Sequence, residues 1–255
     1  MKTPLVASPP RWTSGAATDK GRVRATNQDA YLDRPDLGIW AVADGMGGHS
    51  DGAYASRSIV EGLALVPRPR RLGTSARAIR GVLERVNRRL LDQAAARSDG
   101  DLIGSTAVVL LALGHHCAVL WVGDSRAYRL RDGDLTRITV DHSQVQALID
   151  VGVLPSEGAD DHPLSNVLLR AVGSEDTLKV DGQIERLAAG DRYLLCSDGL
   201  YRELDPGTLT ALLGSAPPSE VVQALVRHAC EQGGRDNVTA LVVDFSWPPA
   251  PSVPL

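Results

Sequence analysis

Four aspartates stand where apolar runs end or begin. Asp44 closes the run Ala-Val-Ala-Asp-Gly-Met-Gly-Gly-His, Asp124 follows residues 117–122 in Val-Gly-Asp-Ser-Arg, Asp198 follows residues 193–196 in Leu-Leu-Cys-Ser-Asp-Gly-Leu, and Asp236 precedes residues 238–243 in Gly-Gly-Arg-Asp-Asn-Val-Thr. A carboxylate at the end of a buried strand emerges where core meets solvent, and several gathered there repel one another unless cations neutralise them. Singly, each has a plainer explanation, because Asp-Gly is a common turn pair and occurs six times in this chain. As a set they point to metal chemistry. Oxygen donors without thiolate partners suit hard cations such as Mg²⁺ or Mn²⁺, and two ions sharing one carboxylate can activate a water for in-line attack on phosphorus. The reaction class such a set would suit is hydrolysis of a phosphoester.

The elements that would position these groups are legible as short apolar runs rich in β-branched residues. Strands are expected at 38–43, 106–113, 117–122, 126–130, 193–196 and 238–243. Several are apolar at consecutive positions, as strands covered on both faces must be. Asp132-Gly133, between 126–130 and 135–140, signals a hairpin turn. Helical spacing of Ala76, Ile79, Val82, Leu83, Val86, Leu90 and Leu91 predicts a helix over 74–97, capped by Thr74-Ser75 and arginine-rich on its outer face. A second helix is expected over 219–232, stopped by Gly233 and Gly234, and a third between Asp141 and Gly152. Helices in batches with strands grouped between them favour antiparallel sheets layered with helices over regular β-α-β alternation.

Composition sets the bounds. The chain has 255 residues, 43% hydrophobic and 23% charged, with a net charge of −4. That mixture excludes a disordered, collagenous or coiled-coil chain, and the balance of charge offers no footprint for nucleic acid or anionic lipid. Aromatic residues are only 4%, so the core is built from Ala, Val, Leu and Ile. Cys117, Cys196 and Cys230 are odd in number and form no C-x-x-C pair, so they are read as small buried hydrophobes. With no signal-peptide core and no apolar run near the roughly 18 residues of a membrane span, a cytoplasmic location is expected. The proline-bearing ends suggest a disordered arm at 1–11 and a Pro-rich tail at 247–255 around one domain at 12–246.

Eight segments in order resemble the motifs of the bacterial metal-dependent (type 2C) protein serine/threonine phosphatases. They are Gly21-Arg-Val-Arg-Ala-Thr-Asn-Gln-Asp29, Asp44-Gly-Met-Gly-Gly-His49, Gly104-Ser-Thr106, Gly123-Asp-Ser-Arg126, Asp141-His-Ser143, Leu168-Leu-Arg-Ala-Val-Gly173, Ser197-Asp-Gly199 and Gly234-Arg-Asp-Asn237. The resemblance implies an α+β fold, a four-layer α-β-β-α sandwich with two central antiparallel sheets flanked by helices. It also implies two Mn²⁺ or Mg²⁺ ions bridged by Asp44, with the Gly45 carbonyl on one ion and Asp198 and Asp236 completing the protein ligands. Asp29 would hold the waters around the ions, and Asp124 with Asp198 matches the position of a third, weaker ion in bacterial relatives. Arg24 matches the arginine that binds phosphate, although Arg22 is an equally charged neighbour.

The chain departs from the family pattern at two positions. Gln28 stands where many relatives carry Glu, and Met46 stands where animal members carry a histidine proposed as general acid, so no side chain is assigned to protonate the leaving group. His49 is read as structural rather than as its substitute, His115 and His116 as surface turn residues, and His142 as a loop anchor. The cluster Gly45, Gly47, Gly48 fails both nucleotide-loop patterns. Residues 153–166 have loop chemistry and fall where the family carries a variable flap over the site. The implied partners are phosphorylated protein substrates and a cognate Ser/Thr kinase, with the chain itself a monomer bound to neither nucleic acid nor membrane. Two alternatives are a phosphatase-like module that binds without turnover and a hydrolase of a small phosphoester. The first has no chemical need for the full set Asp29, Asp44, Asp198 and Asp236, whereas the metal chemistry is indifferent to what carries the phosphate.

Overall fold

Residues 39–43 and 107–112 are apolar without a break because their alternate side chains enter two different layers. Ile39, Ala41, Ala43, Val109 and Leu111 face helices, whereas Trp40, Val42, Val108 and Leu110 face a second sheet. The computed structural model describes residues 10–47, 51–96 and 102–247, so the ends 1–9 and 248–255 lie outside it, as does His49. Its elements run β1 (Arg11–Asp19), β2 (Asp29–Arg34), β3 (Ile39–Met46), α1 (Asp51–Ala64), α2 (Leu72–Ala95), β4 (Gly104–Ser105), β5 (Ala107–Leu113), β6 (His116–Val122), β7 (Arg126–Arg131) and β8 (Asp134–Arg137). They continue α3 (Gln144–Asp150), β9 (Asp181–Arg186), β10 (Arg192–Cys196), α4 (Asp198–Tyr201), α5 (Pro206–Leu213), α6 (Pro218–Gln232) and β11 (Val238–Ser246).

One sheet has the order β1-β11-β10-β7-β8 and the other β2-β3-β5-β6-β9, with β4 beside the end of β3. Every pairing is antiparallel. Between the sheets lies a layer of Trp40, Val119, Tyr193, Leu195, Leu241 and Phe245, in which the Trp40 and Phe245 rings meet edge to face at 6.2 Å. On the outside, α1 and α2 cover the second sheet through Ile59, Leu63, Ile79 and Leu83. Helices α5 and α6 cover the first through Leu209, Leu213, Val221 and Leu225. The result is the expected α-β-β-α sandwich. Full burial of each such side chain contributes roughly 1.5–3 kcal/mol, so the three apolar layers supply the rigidity on which the strand ends depend.

Local details follow the sequence with two corrections. Asp132 (φ 52°) and Gly133 (φ 89°) are both left-handed, the requirement of a tight two-residue hairpin. Helix α2, however, begins at Leu72 with Arg71 as an N-cap that offers no side-chain bond. Thr74 and Ser75 therefore lie inside the helix, not ahead of it, because Leu72 packs on the core and draws the first turn forward. The second concerns the ends. Arg11 already belongs to β1, and the Trp247 indole stacks on His115 at 5.7 Å and donates to its Nδ1 at 3.2 Å. His115 is thus a packing partner, not a bare turn residue.

Candidate metal and phosphate site

Asp29 and Asp44 are register partners at the adjoining ends of β2 and β3. The Gly104-Ser-Thr106 segment clamps the second of them. The Asp44 N–H donates to Thr106 Oγ1 (3.0 Å), while the Asp44 carbonyl accepts from Ser105 Oγ (2.9 Å) and the Thr106 N–H (2.8 Å). Gly45 follows in a space only glycine fits, since a Cβ there would lie 2.0 Å from the Gly52 carbonyl oxygen and 2.6 Å from that of Gln28. Because both neighbours are backbone, Gly45→Ala is expected to cost about 3 kcal/mol, the top of the usual range for overpacking. In a domain of this size that lowers Tm by roughly 6–12 °C. A Tm within 2 °C of wild type would contradict the packing described here.

Asp29 joins the two sheets at the site. Its Oδ2 accepts from Ser197 Oγ (2.7 Å), just past the end of β10, and from Thr239 Oγ1 (2.6 Å) on β11 of the opposite sheet, while its buried Oδ1 has no hydrogen-bond partner. Asn237, to which sequence reasoning gave no role, holds the loop before Asp29. It donates to the carbonyls of Lys20 (2.9 Å) and Thr26 (3.0 Å) and accepts from the Gln28 N–H (2.8 Å). A buried amide satisfied on both ends fixes a loop more rigidly than the loop's own backbone bonds could. The two arginines of that loop are thereby distinguished. Arg22 stays near Asp19, whereas Arg24 reaches the cluster and forks onto Asp236 through Nε (2.8 Å) and Nη2 (2.7 Å).

Asp198 opens α4, and the turn of chain after it returns Arg202, whose Nε lies 3.1 Å from Asp198 Oδ2 and whose Nη2 lies 3.8 Å from Asp124 Oδ2. Asp198 and Asp44 adjoin, each perturbing the other's carboxyl, and Asp198 Oδ1 is a second buried oxygen without a partner. Two carboxylates meet that closely only around a shared proton or a shared cation. Burial, then mutual repulsion, pushes the Asp44 carboxyl well above the usual range. Burial raises Asp29 to about 7, offset in part by Thr239 and Ser197, and raises Asp124 to about 8, with the Asp198 charge adding to it. Among the described residues no three carboxylate, imidazole or thiolate side chains gather tightly enough to hold an ion by themselves. The donor chemistry nevertheless fits a hard divalent cation, which takes one or two carboxylates and completes its shell with waters. The orphaned Asp29 Oδ1 and Asp198 Oδ1 are where such a shell is needed.

A pH dependence follows. Carboxyls raised in the folded protein retain protons that the unfolded chain has released, so without cations stability falls as pH rises from about 4 to about 8. Burial raises the Asp44 and Asp198 carboxyls in the same way, and a divalent cation that takes the place of their protons stabilises most at the upper end. The difference in Tm between Mn²⁺-loaded and chelator-treated protein is expected to widen from pH 5 to pH 8, and a constant difference would contradict the cluster's assignment.

Asp44, Asp124, Asp198, Asp236, Gly45 and Arg24 all line one open cleft of about 730 Å³. Its far wall is the segment 166–171 together with Ser174 and Glu175. The preceding segment is tied down by Arg126, which pairs with Asp141 (Nη2 to Oδ2, 2.7 Å) and Asp160 (Nη2 to Oδ1, 2.5 Å) and lies 3.5 Å over the Tyr201 ring. His142 anchors the loop as expected. Its Nδ1 accepts from the Gly123 N–H (3.1 Å), which leaves Nε2 to donate to Asp181 (3.0 Å).

A sandwich of two antiparallel sheets whose strand ends deliver carboxylates to one cleft is the architecture of a metal-dependent phosphohydrolase. The chain belongs to the protein phosphatase 2C family, whose model matches residues 19–241. It is similar to the solved structure of PppA, described as a key regulatory component of T6SS in Pseudomonas aeruginosa. The two share 41% identity and a TM-score of 0.87, over 93% of this chain and 99% of that one. The catalytic domain of the serine/threonine protein phosphatase PstP, solved with two manganese ions, aligns at TM-score 0.82 and 32% identity, over 93% of this chain and 99% of that one. The PstP of Mycobacterium tuberculosis is 35% identical over 90% of this chain, which spans 44% of that protein's length.

Proposed function

We propose that this protein hydrolyses phosphoserine and phosphothreonine in protein substrates, using two Mn²⁺ or Mg²⁺ ions, and opposes a cognate Ser/Thr kinase as a cytoplasmic monomer whose catalytic domain is residues 12–246. The observation that carries this reading is the convergence on one cleft of Asp44, Asp198 and Asp236 with the fork of Arg24 at its rim. Asp44 would be shared between the ions, with the Gly45 carbonyl on one and Asp198 and Asp236 on the other. When bound, such ions lower the pKa of water and offset the charge of phosphate oxygens.

The remaining steps belong to the chain itself. The Arg24 guanidinium presents two parallel donors and is 57% exposed on its side chain, so it can turn from Asp236 to a phosphate entering the cleft. Asp29, fixed through Oδ2 by Ser197 and Thr239, keeps Oδ1 free to accept from a water and orient it. Met46 and Leu102 give the cleft an apolar flank against which the substrate's side chain can lie. The relatives named as serine/threonine protein phosphatases support this substrate class.

The test compares initial rates on a phosphothreonine peptide, a phosphotyrosine peptide and a small aryl phosphate, each with Mn²⁺. The phosphothreonine peptide is expected to give the largest kcat/KM. A preference for the small ester by tenfold or more would favour the hydrolase of a small phosphoester, and absence of release from all three would favour a binding module.

A further inference from the structure

Arg24 approaches the carboxylate cluster from the rim, but Arg202 approaches it from inside the fold. Its side chain is only 19% exposed. The i, i+4 spacing on α4 and the residue after it sets Arg202 Nε 3.1 Å from Asp198 Oδ2. Nη2 lies 3.8 Å from Asp124 Oδ2, so one guanidinium spans both carboxylates. The same guanidinium reaches out to the flap segment, where Nη1 donates to Ser165 Oγ (2.9 Å) and Nη2 to the Ser165 carbonyl (3.2 Å). Tyr201 closes the arrangement, its hydroxyl donating to the Asp124 carbonyl at 3.2 Å.

Asp124 is 5% exposed, and a buried carboxylate beside a second one needs a positive partner. Either a divalent ion or a guanidinium meets that need. Both together are opposed, because a dication on Asp124 and Asp198 would have to share those carboxylates with a fixed guanidinium whose like charge repels it in a site of low dielectric. An arginine tethered by three contacts is present at unit occupancy, whereas a weak ion must be recruited from solution.

We propose that Arg202 is the resident cation of the Asp124 side of the cluster, so that this chain takes two divalent ions and not a third, with the flap at Ser165 tied to the site by the same side chain. The inference rests on the metal-dependent reading above. It replaces the expectation, drawn from the family resemblance, that Asp124 and Asp198 hold a third, weaker ion. Asp124 then acts as a positioning residue for Arg202 rather than as a ligand.

The experiment is Mn²⁺ stoichiometry by calorimetric titration of chelator-treated protein, which does not depend on turnover. Wild type is expected to bind two ions per chain. Arg202→Met, which keeps the stem and removes the charge, is expected to bind three, and Arg202→Met/Asp124→Asn is expected to return to two. Three ions on wild type, or two on a folded Arg202→Met, would overturn the proposal. Should Arg202→Met fail to fold, Asp124→Asn alone decides. Unchanged stoichiometry with affinity within about twofold supports Arg202 as the cation, and a lost ion overturns it. Fewer than two ions on wild type would overturn the metal-dependent reading itself, and this inference with it.

Discussion

Asp44→Asn is expected to lower phosphate release on the order of 10²–10³-fold or more while leaving the fold intact, because the lost carboxylate is the one that would hold the cations by which the charge of the reacting phosphate is met. The backbone of Asp44, not its side chain, makes the bonds to Ser105 and Thr106, so the amide can occupy the same position. Stability should even rise slightly in the absence of cations, since a neutral amide removes a carboxyl that burial and three or more neighbouring carboxylates oppose. The companion measurement is the Tm gain on adding Mn²⁺, expected to shrink sharply in the mutant. Retention of more than a tenth of wild-type activity with the full Mn²⁺ shift would show that Asp44 is not a shared ligand.

The second large effect is one of stability. Arg126 and Asp141 are each 7% exposed on their side chains, and Arg126 also carries Asp160 of the segment 153–166 and the Tyr201 ring. Removing one partner of such a pair strands the other and costs about 3–5 kcal/mol. Arg137, 3.5 Å from the same Asp141 oxygen, compensates in part, so the lower end applies. Arg126→Met is therefore expected to lower Tm by roughly 6–12 °C, and Arg126→Met/Asp141→Leu to recover most of that loss. A double mutant no more stable than the single would contradict the buried-pair account. The hydrogen bonds from Arg126 also hold the Asp160 carboxyl below its ordinary range against the burial that would raise it, so the single mutant unties the segment around Asp160 as well. Its KM for peptides is expected to change even at temperatures where it is folded.

Legibility in the sequence followed burial. β3, β5, β6, β10 and β11 were readable because both of their faces are covered, which turns them into unbroken apolar runs. β2 (Asp-Ala-Tyr-Leu-Asp-Arg) and β9 (Asp-Gly-Gln-Ile-Glu-Arg) lie at the two edges of their sheet, where half-exposed polar residues carry no such signal. β1 escaped notice for a different reason, since its small residues depend on nine paired positions along β11 rather than on their own hydrophobicity.

The candidate site divides in the same way. The aspartates at strand ends stood out against apolar neighbours, and the structure brings Asp29, Asp44, Asp124, Asp198 and Asp236 to one end of the sandwich. The choice between Arg22 and Arg24 could not be made from charge alone, because it depends on how Asn237 holds the loop from 211 and 217 residues away in sequence. Arg202 was likewise silent. Its significance lies in reaching Asp124 from a different element, although its i, i+4 offset from Asp198 was a signal available in the sequence.

The measurement that tests the central claim most directly is phosphate release from a phosphothreonine peptide by chelator-treated protein as Mn²⁺ is titrated back, with Asp198→Asn run beside it. Release should be absent at first, rise with Mn²⁺ to a plateau and remain absent in the mutant at every concentration. Release that persists under chelation, or that Asp198→Asn retains, would contradict a reaction built on this cluster of carboxylates.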